Sequence, residues 1–199
     1  MSTSSGCTGL FGKLPARGDF VRVGLPGSFV TPWDGWLQTV VAASRDRLGE
    51  DWLPAWLEAP VWRFRLAPGL CGPDAVLGLM LPSVDRVGRY FPLTLAALFP
   101  PGSGAAEADA WLDGAEAAGL AALEQDATQE QVAALLPPWP RATPLAAPLT
   151  APLTAPLTGS RWWTVGGPRV AAADRRHPAL PDAEDFVAML VDPAPDAVA

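Results

Sequence analysis

Between Val61 and Leu66 the side chains alternate: Trp62, Phe64 and Leu66 fall on one face, and Val61, Arg63 and Arg65 on the other. A period of two predicts a strand with one buried face and one basic face. "AVLGLML" at 75–81 and "PLTLAALF" at 92–99 are almost continuously apolar, which predicts strands buried on both sides. Upstream, "GLFGKLP" from Gly9 predicts a short strand running into a Gly/Pro loop. Trp33, Trp36, Leu37, Val40, Val41 and Leu48 then recur at helical spacing, and Gly49 ends the pattern. Thr31-Pro32 is the expected start of that helix, with Thr31 as N-cap and Pro32 in its first turn. "DWLPAWLEA" predicts a second short helix from about Asp51, with Pro54 in the first turn.

The pattern stays helical over 105–136. Trp111, Leu112, Ala115, Gly119, Ala122 and Leu123 mark one face, and Thr128 with Gln131 forms a capping-box pattern ahead of Val132. Three successive "APLT" units follow from Ala147 to Thr158, after Pro137, Pro138 and Pro140. Proline at every fourth position forbids a helix interior and favours extended chain. Residues 137–159 are therefore expected to be a semi-rigid linker, with a ligand for a proline-recognition module as the alternative. "SRWWTVGGPRVAAA" predicts a hairpin turning at Gly166-Gly167, and "LPDAEDFVAML" a closing helix with acidic residues in its first turn. A lone hairpin is marginal, so 160–199 should return to the sheet of the 9–136 unit. Residues 1–8 are expected to be a disordered lead. The expected fold is α/β: a central mixed or largely antiparallel sheet with helices on both faces, a three-layer sandwich, with a longin- or profilin-like topology as the alternative.

Composition narrows the function classes. The chain has 199 residues and a net charge of −7, unevenly spread. Residues 1–99 hold nine Lys/Arg against eight Asp/Glu, and 100–199 hold five against thirteen. Such acidity argues against general nucleic-acid binding, which needs a basic stripe to displace counterions. The start, MSTSSGCTG, has no signal-peptide pattern, and no apolar run approaches the roughly 18 residues of a spanning helix. A cytoplasmic protein without membrane insertion is the expectation. Cys7 and Cys71 form neither a disulfide framework nor a usual metal spacing.

Two motifs in "GLFGKLPARGDFVR" invite readings that do not hold. A P-loop needs G-x-x-x-x-G-K-[ST]. Gly12-Lys13 is present, but Cys7 stands at the first glycine and Leu14 at the hydroxyl position. Arg17-Gly18-Asp19 matches an adhesion tripeptide in a chain that shows no route to an extracellular partner. Catalytic equipment is thin. His177 is the sole histidine and lies on an expected loop. One histidine excludes a multi-histidine metal site, and there is no G-x-S-x-G elbow. No base is placed for Cys71, and Asp74 and Asp85 make no recognisable carboxylate pair. No enzyme activity, metal or cofactor is expected.

The loop Ser83–Phe91 carries Asp85, Arg86 and Arg89 around Gly88. It reads either as a hairpin loop in which Asp85 pairs an arginine, or as a charged recognition surface. Arginine forks suit oriented contact with carboxylates or phosphates, and Arg63 and Arg65 would extend such a surface. Lys13, the only lysine, either pairs with Asp19 or Asp85 to fix its turn or joins the contact surface. A sensor of a nucleotide or phospho-group around Gly12-Lys13 and Asp85, or a scaffold role, are the competing functions.

"GLFGKLPARGDFVR", "FVTPWDGWLQ", "APVWRFRLAPGLCG", "MLPSVDRVGRYFPLTLAA" and "SRWWTVGG" together resemble the TagF family, also called ImpM, of type VI secretion-associated proteins. The resemblance covers about Gly9–Ala97 and resumes near Ser160. It rests on Gly12, Pro15, Gly18, Asp19, Trp33, Trp36, Trp62, Gly72, Pro82, Ser83, Gly88, Pro92, Trp162 and Trp163 as structural positions. The APLT repeat departs from it. The resemblance implies an α/β fold and a cytoplasmic accessory factor that represses assembly after translation. It implies a forkhead-associated scaffold protein of the secretion system as partner, held by sequestration. It supplies no catalytic residues. Some family members carry a PP2C-type phosphatase domain, whereas this chain looks like the stand-alone form.

Overall fold

The computed structural model describes residues 6–100, 108–139 and 158–192. Seven strands are present: β1 (Cys7–Gly12), β2 (Val21–Val23), β3 (Trp62–Leu66), β4 (Ala75–Leu81), β5 (Leu93–Phe99), β6 (Ser160–Thr164) and β7 (Ala173–His177). Five α-helices accompany them: α1 (Gly27–Leu48), α2 (Trp52–Leu57), α3 (Ala108–Glu124), α4 (Gln129–Leu135) and α5 (Ala183–Leu190). The strands make one sheet in the order β2-β1-β5-β4-β3-β6-β7. Every neighbouring pair is antiparallel.

The alternating and continuous apolar patterns have a common cause in this order. β4 and β5 lie at the centre, so all seven residues of each are buried. β3 is covered on one face, so Trp62, Phe64 and Leu66 are buried while Arg63 and Arg65 are half-buried. The helices divide between the two faces. α1, α2 and α5 pack with Phe64, Val76, Met80, Leu98 and Trp162 in one core. α3 and α4 pack with Leu77, Leu79, Leu81, Leu95 and Phe99 in the other. The sheet is thus the middle layer of three, as expected.

Tryptophans dominate the first core. The rings of Trp33 and Phe64 lie 4.7 Å apart, those of Phe64 and Trp162 4.9 Å, and those of Trp36 and Trp162 5.5 Å. A buried indole needs a partner for its N–H. Trp33 donates to Thr94 Oγ1 at 3.0 Å, Trp62 to the Met189 carbonyl at 2.9 Å and Trp162 to Ser160 Oγ at 3.0 Å. Half-buried Trp36 donates to the Pro181 carbonyl at 2.7 Å. These bonds tie α1 to β5, β3 to α5, and α1 to the loop ahead of α5. Residues 160–192 are thereby fastened to the sheet, and β6 pairs directly with β3.

Some boundaries differ from expectation. α1 begins at Gly27, with Pro26 at the N-cap, so Thr31 is not a cap and Pro32 lies inside the helix. Phe29 and Val30 are buried, and their burial on this extra turn outweighs the one backbone hydrogen bond that Pro32 removes. β1 starts at Cys7, where Cys7 and Thr8 pair with Leu98 and Ala97; residues 1–5 lie outside the described residues. The last hairpin is wider than a turn at Gly166-Gly167. β7 begins only at Ala173, and Val170 plugs into the core from the connection instead of standing in a strand. His177, expected on a loop, is the last residue of β7 and its Nδ1 lies 3.0 Å from Asp185 Oδ2. The helix caps follow the sequence. Thr128 and Gln131 form both bonds of a capping box at α4, and Asp182 and Asp185 do so at α5. The APLT repeats fall outside the described residues, apart from the last threonine, Thr158.

Candidate functional site

Two loops meet at one end of the sheet: Lys13–Phe20 after β1 and Pro82–Pro92 between β4 and β5. Gly12 lets them approach. It has φ 134°, and a Cβ there would run into the Pro92 carbonyl oxygen. Ser83 Oγ donates to the Lys13 carbonyl at 2.8 Å, and the Arg86 N–H donates to the Arg17 carbonyl at 2.9 Å. Gly88 supplies a positive φ of 84° in open space, so it serves the turn and not a close contact.

Asp85 is the centre of this junction. It is 3% exposed, and Lys13 is 4% exposed. Lys13 Nζ donates to Asp85 Oδ2 at 2.6 Å, and Arg89 Nε donates to the same oxygen at 2.7 Å. The other oxygen accepts from the backbone N–H groups of Val87 at 3.0 Å and Arg89 at 2.9 Å. Burial works against ionisation of Asp85. The hydrogen bonds from Lys13, the Arg89 amide and guanidinium, and the Val87 amide overcome it and hold the carboxyl well below the usual carboxylate range. Lys13 Nζ also sits 4.3 Å from the centre of the Phe20 ring. Lys13 therefore points inward, where it braces a loop and is not displayed to a phosphate.

What this core presents outward is arginine. Arg86 is exposed, the Arg17 side chain is 50% exposed and that of Arg89 57%. Arg89 additionally donates from Nη2 to the Gly18 carbonyl, which fixes its fork against the neighbouring loop. Arg17, Gly18, Asp19, Phe20, Arg86, Thr128 and Gln129 line a mostly polar groove of about 400 Å³. Glu130 stands 3.8 Å from Arg17 at its margin. Beside it, Pro15, Trp56, Leu57, Pro82, Val84, Tyr90 and Leu123 line an apolar slot of about 170 Å³.

The six charged positions picked out by sequence separate into two groups. Lys13, Asp85, Arg86 and Arg89 meet at this junction. Arg63 and Arg65 do not join them. Arg65 lies opposite Leu77, four residues before β4 ends at Leu81, or about 14 Å along the strand. Arg63 is bound to α3, donating to Asp113 at 2.7 Å and Glu116 at 2.9 Å. The other marked positions are structural. Trp33, Trp62 and Trp162 are core, and Pro92 is buried at the end of the loop. Trp36, Pro82 and Trp163 are half-buried, Gly72 (φ 95°) closes the turn before β4, and Pro15, Gly18 and Asp19 shape the first loop. Sequence reasoning missed Arg17, Phe20, Thr128 and Gln129 as groove residues. They come from segments more than a hundred residues apart, and no local pattern joins them.

Among the described residues no three His, Cys, Asp or Glu side chains gather as a metal site, and no helix is long and apolar enough to cross a membrane. Burial pushes the Cys71 thiol up to about 12, so it stays protonated and inert.

Comparison with known proteins agrees with the residue pattern. No curated protein matches the chain. A solved crystal structure, that of PA0076 from Pseudomonas aeruginosa PAO1, is 40% identical to it and superposes with a TM-score of 0.81. The match covers 94% of this chain and 96% of that one. Residues 9–137 match the family model described as TagF N-terminal domain, type VI secretion system-associated. The chain belongs to the TagF family of type VI secretion system-associated proteins.

Proposed function

We propose that this protein represses assembly of the type VI secretion system after translation, by binding a forkhead-associated scaffold protein in the cytoplasm and sequestering it. The reading is of stoichiometric binding without catalysis. The observation that carries it is the display of Arg17, Arg86 and Arg89 on two loops braced from beneath by the buried Lys13–Asp85 pair. Planar guanidinium forks suit directional contact with carboxylates or phosphoryl groups, and that of Arg89 is held in place by Asp85 and the Gly18 carbonyl. The apolar slot beside them, with Leu57 62% exposed, gives the surface the composition of an interface: an apolar centre with an arginine rim.

Co-purification with the forkhead-associated scaffold protein from cells tests this. Arg17→Glu with Arg86→Glu is the informative variant, because neither side chain bonds Asp85 and the brace stays whole. Loss of both scaffold binding and repression supports the reading. Retention of both would place the binding surface elsewhere.

A further inference from the structure

Among the described residues, one face of the sheet is only half covered. α3 and α4 lie over β1, β2, β4 and β5. α3 reaches as far as Arg63 on β3 through Asp113 and Glu116. Beyond that point β3, β6 and β7 carry Arg65, Arg161, Trp163, Asp174 and Arg176 on the same face. The strand register sets Arg65 opposite Arg161, and Arg161 opposite Arg176. Three arginines therefore stand in line across three adjacent strands.

Like charges directly opposite one another on a sheet are destabilising, and this row is only partly neutralised. Arg161 donates to both oxygens of Asp174, at 3.0 and 2.6 Å. Its guanidinium also lies 4.9 Å from the ring of half-buried Trp163, its neighbour on the same face of β6. Arg65 and Arg176 have no ion pair among the described residues. Asp174 also acts on Arg176 through charge, so within the row, among the described residues, three guanidiniums share one carboxylate.

We propose that this row docks a short acidic segment of a partner protein, lying across β3, β6 and β7. Two inter-strand spacings give the row a span of about 10 Å. An extended segment with carboxylates at alternate positions places them about 7 Å apart, so two carboxylates bridge the three guanidiniums. Asp109, Asp113 and Glu116 lie along α3 and border the row. A long polyanion continuing past the row in that direction meets this acidic stripe in a chain of net charge −7. A short segment of protein fits and a nucleic-acid strand does not. The row is remote from Arg17 and Arg86, so the proposal stands independently of the repressor reading.

The test uses the full chain and a fluorescein-labelled peptide of four Glu-Ser repeats at low salt, with a Lys-Ser repeat and a single-stranded thymidine oligonucleotide beside it. The expected result is salt-sensitive binding of the acidic peptide that weakens at least about tenfold in the Arg65→Gln, Arg176→Gln double variant. Arg17→Gln with Arg86→Gln should leave it unchanged. The melting temperature of the row variant should stay the same or rise, since like-charge repulsion is relieved. No binding of the acidic peptide, or equal binding by the row variant, would overturn the proposal. So would tighter binding of the oligonucleotide at the same row.

Discussion

Replacing Lys13 by methionine keeps an unbranched stem and deletes the ammonium. Asp85 then stays buried with its carboxylate facing Arg89 Nε at 2.7 Å and two backbone amides. Removing one partner of a buried ion pair costs about 3–5 kcal/mol, mostly because the surviving charge stays desolvated. The remaining donors put the Lys13→Met cost at the lower end, about 3 kcal/mol. That is a large share of the roughly 5–15 kcal/mol that stabilises a typical domain. For a chain of this size it corresponds to a fall of about 6–12 °C in melting temperature. Asp85→Asn keeps an acceptor for the Val87 and Arg89 amides but turns a donor group towards Lys13. Denaturant unfolding of both single variants and the double variant at pH 7 gives the coupling energy directly. The double variant should lose less than the sum of the single losses, by more than about 1 kcal/mol. A Lys13→Met cost under about 1 kcal/mol, with additive losses, would refute the reasoning and leave the pair without a bracing role.

The Asp85 carboxyl is held below its ordinary value in the fold, so its contribution is complete above the unfolded value of about 3.9 and is lost as pH falls from there through the folded value. The stability difference between the natural protein and Asp85→Asn should therefore be flat from pH 8 to 5 and shrink below about pH 4; a difference that changed between pH 7 and 5 would contradict this. Gly12→Ala forces a side chain onto the Pro92 carbonyl at a φ of 134°, and should cost more than the roughly 1–3 kcal/mol of simple backbone strain, read as a lowered urea midpoint. Trp33→Phe leaves a small cavity and an unpaired Thr94 hydroxyl in the buried core, with an expected loss of about 2–3 kcal/mol; unchanged thermal stability would show that the indole bond does not help fasten α1 to the sheet.

Legibility in the sequence followed the range of the interactions. β3, β4 and β5 were readable because burial on one or two faces writes a period within five to seven residues. The α4 capping box was readable because Thr128 and Gln131 satisfy each other three residues apart. The start of α1 was not, because Pro32 signals a first turn while the packing of Phe29 and Val30 extends the helix past it. β7 is a polar edge strand, ADRRH, and carries no apolar alternation. The site was legible in part. The charged loop announced itself, but the pairing of Lys13 with Asp85 spans 72 residues, and Lys13–Asp19 was an equal alternative on sequence. The division of Arg63 and Arg65 from Arg86 and Arg89 follows from the register of β3 on β4, which sets Arg65 opposite Leu77 and which no local motif encodes.

The central claim, that the braced arginine loops hold a scaffold protein, is tested most directly by titrating purified forkhead-associated scaffold protein against the natural chain and the Arg17→Glu, Arg86→Glu variant. The account predicts saturable binding by the natural chain and a loss of more than about tenfold, or about 1.4 kcal/mol, in the variant, with the melting temperature of the variant unchanged. Equal affinity of the two proteins would contradict it.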